Sequence, residues 1–591
     1  MSLIPTDMKK LPLLLPILLM AACGPGDPAP MAVVPTPAQV RWQQMETNMF
    51  VHFGPNTFSG KEWGDGTEAE DMFNPSAMDC RQWAATAAAA GFKGIIITAK
   101  HHDGFCLWPN PVSTHTVAQS KWMDGKGDVL KALSEACKEY GLQFGIYISP
   151  WDRNDPHYGT PEYNDVFVKT LQSALGDYGP VFEQWFDGAN GEGPNGKRQE
   201  YDWPLFHRTV RSLQPDAQMF SDVGPGCRWV GNEEGRAGRT NWSTLNVEGF
   251  SPGAGSPPVD TLNRGNRHGQ AWIPAETDVS IRPGWFWRES ENGRVKSLQQ
   301  LLQIYYESVG RNSLMLLNVP PDTLGRIYPA DSARLREFRA ALDRIFARDL
   351  AADARLEASA ERGSRYQAAN LQDARYDRFW AVPDEELTPT LTVTFPEERT
   401  FNRVLLQEYI PLGQRVSSFA IDVLSEGQWK EVAAETTIGY KRIVLIPETT
   451  AQALRIRITG ADACPVLNNL GVYQDSVYQD IATAPAYQTG TVHPAAEAQT
   501  LDLGAVREIR GFRYAPIYRG EGGVITRYRL EGSRDGRRWI PLREGMFGNI
   551  VNNPIPQDVP LGEGTQVRYL RLTPVETVPE GSYGIAALEA L

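Results

Sequence analysis

The segment GIIITA at residues 94–99 is a short apolar run, and it directly follows a stretch with the periodicity of an amphipathic helix. That helix is predicted to start after its capping residue Asp79 and to end at Gly91. A helix followed by an apolar strand recurs at FGIYIS (144–149) and at VFEQWFD (181–187). Near-continuous apolar strands that alternate with helices are typical of a parallel sheet that is covered on both faces.

A (β/α)8-like TIM barrel is the predicted fold, because the helix–strand pattern extends over roughly 300 residues. Its last repeat is a helix at 297–309 followed by a strand at 314–318, and a long helix at 331–350 closes the unit. A doubly wound parallel sheet is the alternative, but no Gly-x-Gly-x-x-Gly motif follows a predicted strand. The stretch 215–295 is irregular under both interpretations.

Beyond residue 350 the pattern changes to alternating strands, which form two blocks that resemble each other. The segment FAIDVLSEGQW (419–429) in the first block corresponds to YRLEGSRDGRRW (528–539) in the second. Each block has the length and alternation of one β-sandwich. The order of the strands, with a Ser-x-Asp-Gly-x-x-Trp segment at 533–539, resembles discoidin-type, carbohydrate-binding sandwiches. Packing domains without a ligand are the alternative.

The composition excludes some classes of partner. The net charge of −13 argues against a nucleic-acid partner, because proteins that bind nucleic acid usually carry a basic face. The 16 tryptophans offer flat rings to the C–H faces of sugars, although a large barrel core also uses Trp. The six cysteines form no Cys-x-x-Cys pattern, so a zinc site is not indicated.

The N-terminus has the pattern of a secretory signal. Lys9 and Lys10 precede an apolar run at 11–22, which is too short to span a bilayer and ends in small residues before Cys23. We predict a lipobox in which Cys23 carries a lipid, so that the mature protein is a periplasmic, outer-membrane or cell-surface lipoprotein with no other membrane contact. A plain signal peptide with an incidental Cys is the alternative.

Catalytic groups in parallel barrels lie at the C-terminal ends of the strands. Four successive predicted strands end here in His, Trp or carboxylate residues: His52 with Glu62 and Trp63 after it, Lys100-His101-His102-Asp103, Ser149-Pro150-Trp151-Asp152, and Trp185-Phe186-Asp187. These side chains are therefore expected to converge on one rim.

Two chemistries could use such a rim. A metal-dependent hydrolase or deacetylase needs three or more His or Asp ligands, and no ligand motif accompanies His101 and His102. Neutral imidazoles can instead donate hydrogen bonds to sugar hydroxyls, and a retaining glycosidase needs a carboxylate nucleophile and a carboxylic acid. Asp187 ends an otherwise apolar strand, which suits the nucleophile; a helix N-cap is the alternative role.

The motifs His52-Phe53-Gly54, Glu62-Trp63, KHHDGF (100–105) and WFDG (185–188) together resemble family 29 glycoside hydrolases, the retaining α-L-fucosidases. The segments WVGNE (229–233) and LLNVPP (316–321) support the resemblance. It implies that Asp187 is the nucleophile and that the substrate is a fucosylated oligosaccharide or glycan. We predict no catalytic metal or other cofactor, because the sequence offers no ligand set beyond the His pair. The implied fucose contacts are His52, Glu62, Trp63, His101, His102, Trp185 and, against the methyl group of the sugar, Trp285.

The acid/base is assigned through the same resemblance. In the branch of the family that cleaves α-1,3/1,4-linked fucose, it lies in a Gly-Asn-Glu segment downstream of the nucleophile. Glu233 occupies such a segment, 46 residues after Asp187, while Glu234 and Glu276 remain candidates. The implied activity is exo-hydrolysis of terminal α-1,3/1,4-linked L-fucose with retention. A surface glycan-binding lipoprotein with an inactive barrel is the competing hypothesis, and intact Asp187 and Glu233 count against it.

The predicted organisation has five parts. They are a signal peptide with lipobox (1–23), a Pro-rich tether (24–37), a catalytic barrel (38–350), a first β-sandwich (351–475) and a second β-sandwich that is a candidate carbohydrate-binding domain (476–591). We expect the first β-sandwich to pack against the barrel, because only a short segment separates them. The second is expected to be separable from the chemistry.

Overall fold

The computed structural model describes residues 26–479, 487–518 and 522–591. Eight parallel strands close into a barrel, in which each strand pairs with the next and the last pairs with the first, as the predicted fold requires. The barrel strands are Thr47–Val51, Gly94–Lys100, Gln143–Ile148, Glu183–Trp185, Gln218–Ser221, Cys227–Trp229, Ala275–Ser280 and Ser313–Asn318. The strands GIIITA and FGIYIS were predicted to within one or two residues.

Helices surround the barrel, and capping residues set where several of them begin. The Asp79 carboxylate accepts a hydrogen bond from the Gln82 N–H, and Ser297 forms a capping box with Gln300. The α-helices are Pro37–Gln43, Pro55–Ser59, Cys80–Ala89, Val129–Glu139, Glu162–Gly176, Trp203–Leu213, Val259–Arg264, Leu298–Glu307 and Pro329–Ile345. Single 3-10 turns lie at Glu70–Met72, Val117–Gln119, Trp122–Gly125, Glu289–Glu291, Ala368–Gln372 and Ile410–Leu412.

The irregular stretch 215–295 is the part of the barrel that departs from helix–strand alternation. The fifth and sixth strands are joined by the turn 222–226 without a helix, and a short antiparallel pair, Thr244–Leu245 with Ala271–Trp272, lies outside the barrel. Glycine is required in the turn, because Gly224 has a φ of 82° and a side chain at Gly226 would collide with the main chain of Met219.

The first β-sandwich is built from a sheet of Arg355–Ala358, Trp380–Ala381, Thr390–Glu408, Val416–Ser425, Gln428–Glu435, Arg442–Ala461 and Val466–Tyr473. Its apolar residues form a core of their own. Buried hydrogen bonds join it to the barrel, for example from the Tyr440 N–H to Asn312 Oδ1 at 2.7 Å and from the Asn241 N–H to Thr437 Oγ1 at 2.9 Å. The prediction that this domain packs against the barrel is confirmed.

The second β-sandwich has a third core and comprises Thr491–Pro494, Gln499–Ala515, Val524–Ser533, Ile540–Met546, Gln557–Val578, Ser582–Ile585 and Ala587–Ala590. The predicted repeat is visible in equivalent contacts. The Arg455 guanidinium lies 4.5 Å from the ring centre of Trp429, and Arg571 lies 4.1 Å from that of Trp539. Both domains therefore use the same Arg–Trp pair, which covers one face of each ring.

The N-terminal residues that the structure describes run along the first β-sandwich. Arg362 Nε donates to the Gly26 carbonyl at 2.8 Å, and the Met31 N–H donates to the Leu412 carbonyl at 3.0 Å. This part of the predicted tether is therefore held against that domain. The predicted signal and Cys23 lie outside the described residues. Among the residues described, no helix has the length and apolar character needed to cross a membrane.

A fully buried ion pair anchors the loop that follows the seventh strand. Arg282 Nε and Nη2 donate to the two carboxylate oxygens of Asp331 at 2.8 and 3.1 Å. Asp331 lies in the first turn of the helix Pro329–Ile345, so the pair ties this loop to the helical layer.

We expect Asp331→Ala to lower the free energy of unfolding by about 3–5 kcal/mol, because it leaves the Arg282 charge buried without a partner. Asp331→Asn retains one acceptor oxygen and should cost less. Denaturant unfolding of both variants tests this expectation, and equal stability of Asp331→Ala and the wild type would contradict it.

Candidate active site

The predicted site residues lie together at the C-terminal end of the barrel. The rings of His101 and His102 are 4.1 Å apart, that of His52 is 4.8 Å from Trp285, and His102 Nε2 lies 3.8 Å from Asp187 Oδ2. These residues come from three different strand ends and from the loop that follows the seventh strand. Barrel closure therefore brings the motifs to one rim, as expected.

Asp187 is held at this rim by hydrogen-bond donors. The Tyr147 hydroxyl donates to Oδ2 at 3.1 Å and the Ala189 N–H donates to Oδ1 at 2.7 Å, which orients the carboxylate. Its side chain keeps 26% of its surface exposed, so one face stays open to a ligand. Burial, with the Asp187 charge adding to it, raises the pKa of Tyr147 well above its usual value. Tyr147 therefore remains a donor at neutral pH.

The sequence did not single out Tyr147. It lies inside the apolar run FGIYIS, where a tyrosine is indistinguishable from a core residue until the direction of its hydroxyl is known. Its ring stacks on Trp185 at 5.1 Å and lies parallel to that of His101 at 5.7 Å.

The three histidines at the rim are neutral at neutral pH. Burial lowers the pKa of His52 to about 3 and that of His102 to about 4, and it lowers that of His101 as well. Neutral imidazoles both donate and accept hydrogen bonds, which suits a ligand with hydroxyl groups.

The tautomer of His52 follows from its surroundings. The Asn318 Nδ2 group donates to Ser280 Oγ and to the Trp285 carbonyl, so its Oδ1 accepts from His52 Nδ1 at 2.9 Å. His52 Nε2 is thus left as an acceptor. His102 Nδ1 contacts Ser149 Oγ at 2.7 Å, whereas His101 Nδ1 has no hydrogen-bond partner among the described residues.

Trp285 connects two carboxyl groups of the site. Its main-chain N–H donates to Glu62 Oε1 at 2.6 Å, and its indole N–H donates to Glu233 Oε2 at 2.9 Å. The second Glu62 oxygen accepts from Arg288 Nη2 at 2.7 Å. Both predicted carboxyl residues therefore lie beside the predicted aromatic wall.

Glu233 is half-buried, and its Oε1 accepts from Asn552 Nδ2 of the second β-sandwich at 2.7 Å. The pKa of Glu233 is raised to about 7: burial is the largest cause and the negative charges of Asp187 and Glu62 add to it, while the donors Trp285 and Asn552 oppose the shift. Glu233 therefore holds a proton up to about neutral pH. Two carboxyl groups in such different surroundings are the usual basis for separate acid and nucleophile roles.

A contact between Asn552 and Glu233 bears on the expected separability of the second β-sandwich. This domain donates a hydrogen bond to a carboxyl group of the site, and whether activity depends on that contact stays a prediction. Sequence offers no signal for this contact, because it joins two loops that are 319 residues apart.

The other two acid candidates point elsewhere. Glu234 Oε2 accepts from the Tyr518 hydroxyl at 2.6 Å, toward the second β-sandwich. Glu276 is the second residue of its strand, far from the C-terminal rim, and is fully buried with Oε1 accepting from Trp185 Nε1 at 2.9 Å. Glu233 is the candidate that contacts Trp285.

A second buried carboxyl group, Asp278, was missed by sequence reasoning. Burial raises its pKa well above the usual value, and the charges of Glu233 and Asp187 raise it further. Alternate residues of a strand share a face, so Asp278 lies one layer above Glu276 on the inner face of the barrel. The two-residue spacing from Glu276 was the sequence signal that could have identified Asp278.

Beneath the rim, Glu183, Cys227 and Glu276 offer ligand atoms within 4.8 Å of one another, which makes them the one metal-capable group among the described residues. Glu183 Oε2 already accepts from Trp42 Nε1 at 2.7 Å, and burial raises the pKa of Glu183 to about 7. Protonated, hydrogen-bonded carboxyls in a closed interior account for this cluster. The absence of a catalytic metal stays a prediction.

Aromatic rings complete the site. Trp63 is 45% exposed at the mouth, with its ring edge-on to His102 at 5.4 Å and to Trp151 at 5.7 Å. Trp185 is 6% exposed and stacks on Phe220 at 4.0 Å, so it forms the floor. A parallel barrel whose rim combines a carboxylate, a protonated carboxyl, neutral imidazoles and indole rings is typical of a glycoside hydrolase.

Comparison with known proteins gives the family. The profile of the α-L-fucosidase family matches residues 33–344, and the F5/8 type C (discoidin-like) domain profile matches 355–468 and 481–588. The chain belongs to the α-L-fucosidases, family 29 of the glycoside hydrolases. This confirms the predicted family, enzyme class and domain types.

Relatives differ in how much of the chain they cover. Arabidopsis thaliana α-L-fucosidase 1 is 40% identical over 455 residues, 76% of this chain and 89% of its own. The crystal structure of a family 29 member from an unknown rumen bacterium is 37% identical with a TM-score of 0.69, over 96% of this chain and 100% of that one. A Ruminococcus gnavus family 29 fucosidase in complex with fucose is 32% identical with a TM-score of 0.72, over 77% of this chain and 97% of that one.

The Arabidopsis and Ruminococcus proteins thus leave about a quarter of this chain without a counterpart. That share is comparable in length to one β-sandwich and the N-terminal residues together. A family 29 barrel can therefore occur in a shorter chain than this one.

We expect Tyr147→Phe to lower kcat/KM by about 10- to 100-fold, because a hydrogen bond to a charged group contributes about 1.5–3 kcal/mol. The Phe ring keeps the stacking on Trp185, so the melting temperature should change little. Assays on a fucoside with parallel thermal unfolding test the expectation, and wild-type activity would show that the Tyr147 hydroxyl is dispensable.

Proposed function

We propose that this α-L-fucosidase releases terminal α-1,3/1,4-linked L-fucose from oligosaccharides or glycans by a retaining double displacement. Asp187 is the nucleophile and Glu233 the acid/base in this proposal. One observation carries it: Glu233, bound by Trp285 and Asn552 and with its pKa raised to about 7 by burial, lies at the same rim as Asp187, which Tyr147 and Ala189 orient.

The two steps follow from these groups. Asp187 attacks the anomeric carbon as Glu233 gives its proton to the departing glycosidic oxygen, which leaves a covalent fucosyl-enzyme. The Glu233 carboxylate then takes a proton from water, which attacks the same carbon and releases fucose with its original configuration. An inactive glycan-binding barrel has no use for such a pair.

Fucose recognition is proposed to rest on His52, Glu62, Trp63, His101, His102, Trp185 and Trp285. His52 Nε2 is an acceptor for a sugar hydroxyl, because its Nδ1 is used by Asn318. Trp285 presents its ring beside His52 and suits the methyl face of the sugar. Glu62 fixes Trp285 through the main-chain N–H.

The proposed linkage preference is supported by the loop that carries Glu233. Asn232 Oδ1 accepts from the Glu234 and Arg236 N–H groups, and Asn232 Nδ2 donates to the Arg236 carbonyl at 2.8 Å. These bonds close the loop and turn Glu233 toward Trp285. The Asn of the Gly-Asn-Glu motif therefore shapes the loop that presents Glu233. This motif is the one that resembles the α-1,3/1,4-acting branch.

Asp187→Asn and Asp187→Ala are expected to lower kcat at least about a thousandfold, because no covalent intermediate can form. Circular dichroism should match the wild type, since Asp187 is a partly exposed rim residue. A variant that retains a tenth of the wild-type kcat would exclude Asp187 as the nucleophile. For the wild-type enzyme, NMR of the first-formed product should show α-fucose, because the configuration is retained.

Glu233→Ala should lower kcat/KM for unactivated fucosyl oligosaccharides about 10²- to 10⁴-fold, with a much smaller loss on aryl fucosides whose leaving groups need no proton. Azide should restore turnover of the aryl fucoside and give the retained fucosyl azide, whereas Asp187→Ala with azide should give the inverted anomer.

The pH profile tests the same residue. The pKa of Glu233 is raised, so the acid is protonated below about pH 7 and activity is lost as pH rises through that value. Glu233→Ala should therefore lack the basic limb. Glu234→Ala and Glu276→Ala serve as controls, and a wild-type profile for Glu233→Ala would move the assignment to one of them.

A further inference from the structure

The segment 547–553 of the second β-sandwich reaches the rim of the barrel. Asn552 makes two contacts with Glu233: its Nδ2 donates to Oε1 at 2.7 Å, and its carbonyl accepts from the Glu233 N–H at 3.5 Å. The side chain and the main chain of Glu233 are thus held by the same residue of another domain.

A second contact lies four residues earlier in this segment. A Cβ at Gly548 would lie 2.8 Å from Arg288 Nη1 and 3.1 Å from Glu62 Oε2, so the segment lies directly against this ion pair. Gln557 Nε2 fixes the segment by donating to the Gly548 carbonyl at 3.1 Å. The segment therefore contacts the site on both sides of Trp285, at Glu62 and at Glu233.

The orientation of the Glu233 carboxyl group is fixed only if each of its oxygens accepts a hydrogen bond. The barrel holds Oε2 through Trp285, but one hydrogen bond leaves the carboxyl plane free to turn about its last side-chain bond. Asn552 supplies the second donor on Oε1. Each oxygen has a further lone pair, so the proton that is given to a glycosidic oxygen can remain on the acid while both donors keep their bonds.

We propose that Asn552 is a positioning residue for the acid/base, so that the second β-sandwich is a working part of the active site. The inference rests on the proposed role of Glu233. Asn552 also stabilises the charged form that Glu233 adopts between the two steps, because the Nδ2 group that faces the carboxyl donates and cannot accept.

The decisive variants are Asn552→Leu, which keeps the size and removes the donor, and Asn552→Asp, which replaces the amide with a carboxylate. Val551→Ala is the control, because Val551 is an exposed neighbour in the same segment. The charged groups that face Glu233 from the barrel are Asp187, Glu62 and Asp278, and none of them is altered.

For the full-length protein, kcat/KM is measured against pH on an unactivated fucosyl oligosaccharide and on an activated aryl fucoside. Asn552→Leu should lower the kcat/KM of the oligosaccharide, relative to that of the aryl fucoside, about tenfold. This loss is smaller than the loss expected when the general acid itself is removed. Its basic limb should move to higher pH, because the charged form of Glu233 loses a donor. Asn552→Asp should move the limb further, and Val551→Ala should match the wild type.

An unchanged substrate ratio and an unchanged basic limb in both Asn552 variants would overturn the inference. So would equal losses on both substrates with a lower melting temperature, which indicates a domain contact only. If Asn552→Leu does not fold, Asn552→Asp decides through the same two readouts. A wild-type profile for Glu233→Ala would instead overturn the proposed acid, which is a separate failure.

Discussion

The two N–H groups of Trp285 are the constraint on which the rest of the site depends. One binds Glu62 and the other binds Glu233, so a single residue sets the separation of two carboxyl groups that come from different barrel loops. Asn318 donates to the Trp285 carbonyl at 2.8 Å and also orients His52. The loop itself is anchored below by the buried pair of Arg282 and Asp331. A shift of this loop therefore alters the acid and the sugar contacts together.

Burial organises the electrostatics of the rim. It keeps the three histidines neutral and keeps a proton on Glu233, because charge is unfavourable where water is excluded. Neutral groups suit a neutral sugar, and the partly exposed Asp187 supplies the negative charge that a developing cation at the anomeric carbon requires. Asp278 adds a further buried carboxyl close to the pair, and its pKa is raised by burial and by the charges of Glu233 and Asp187.

The second β-sandwich contacts the active site of the barrel directly. Here the segment 547–553 lies against Glu62 and Glu233, and relatives with fewer residues show that a family 29 barrel occurs without the full length of this chain. The contact between the second β-sandwich and the active site is therefore made by one loop and is not a property of the barrel fold itself.

The sequence by itself determined the barrel, the two discoidin-like domains and most of the rim, because periodicity and the position of a residue at a strand end are local properties. Asp187, His52 and His101 were placed correctly for this reason. Tertiary structure alone decided that Glu233, and neither Glu234 nor Glu276, contacts Trp285, since neighbouring residues of a loop point in different directions. It alone revealed Tyr147, whose role depends on where a hydroxyl points. It alone revealed Asn552, because a hydrogen bond between loops 319 residues apart depends on how separate domains pack and leaves no pattern in either segment.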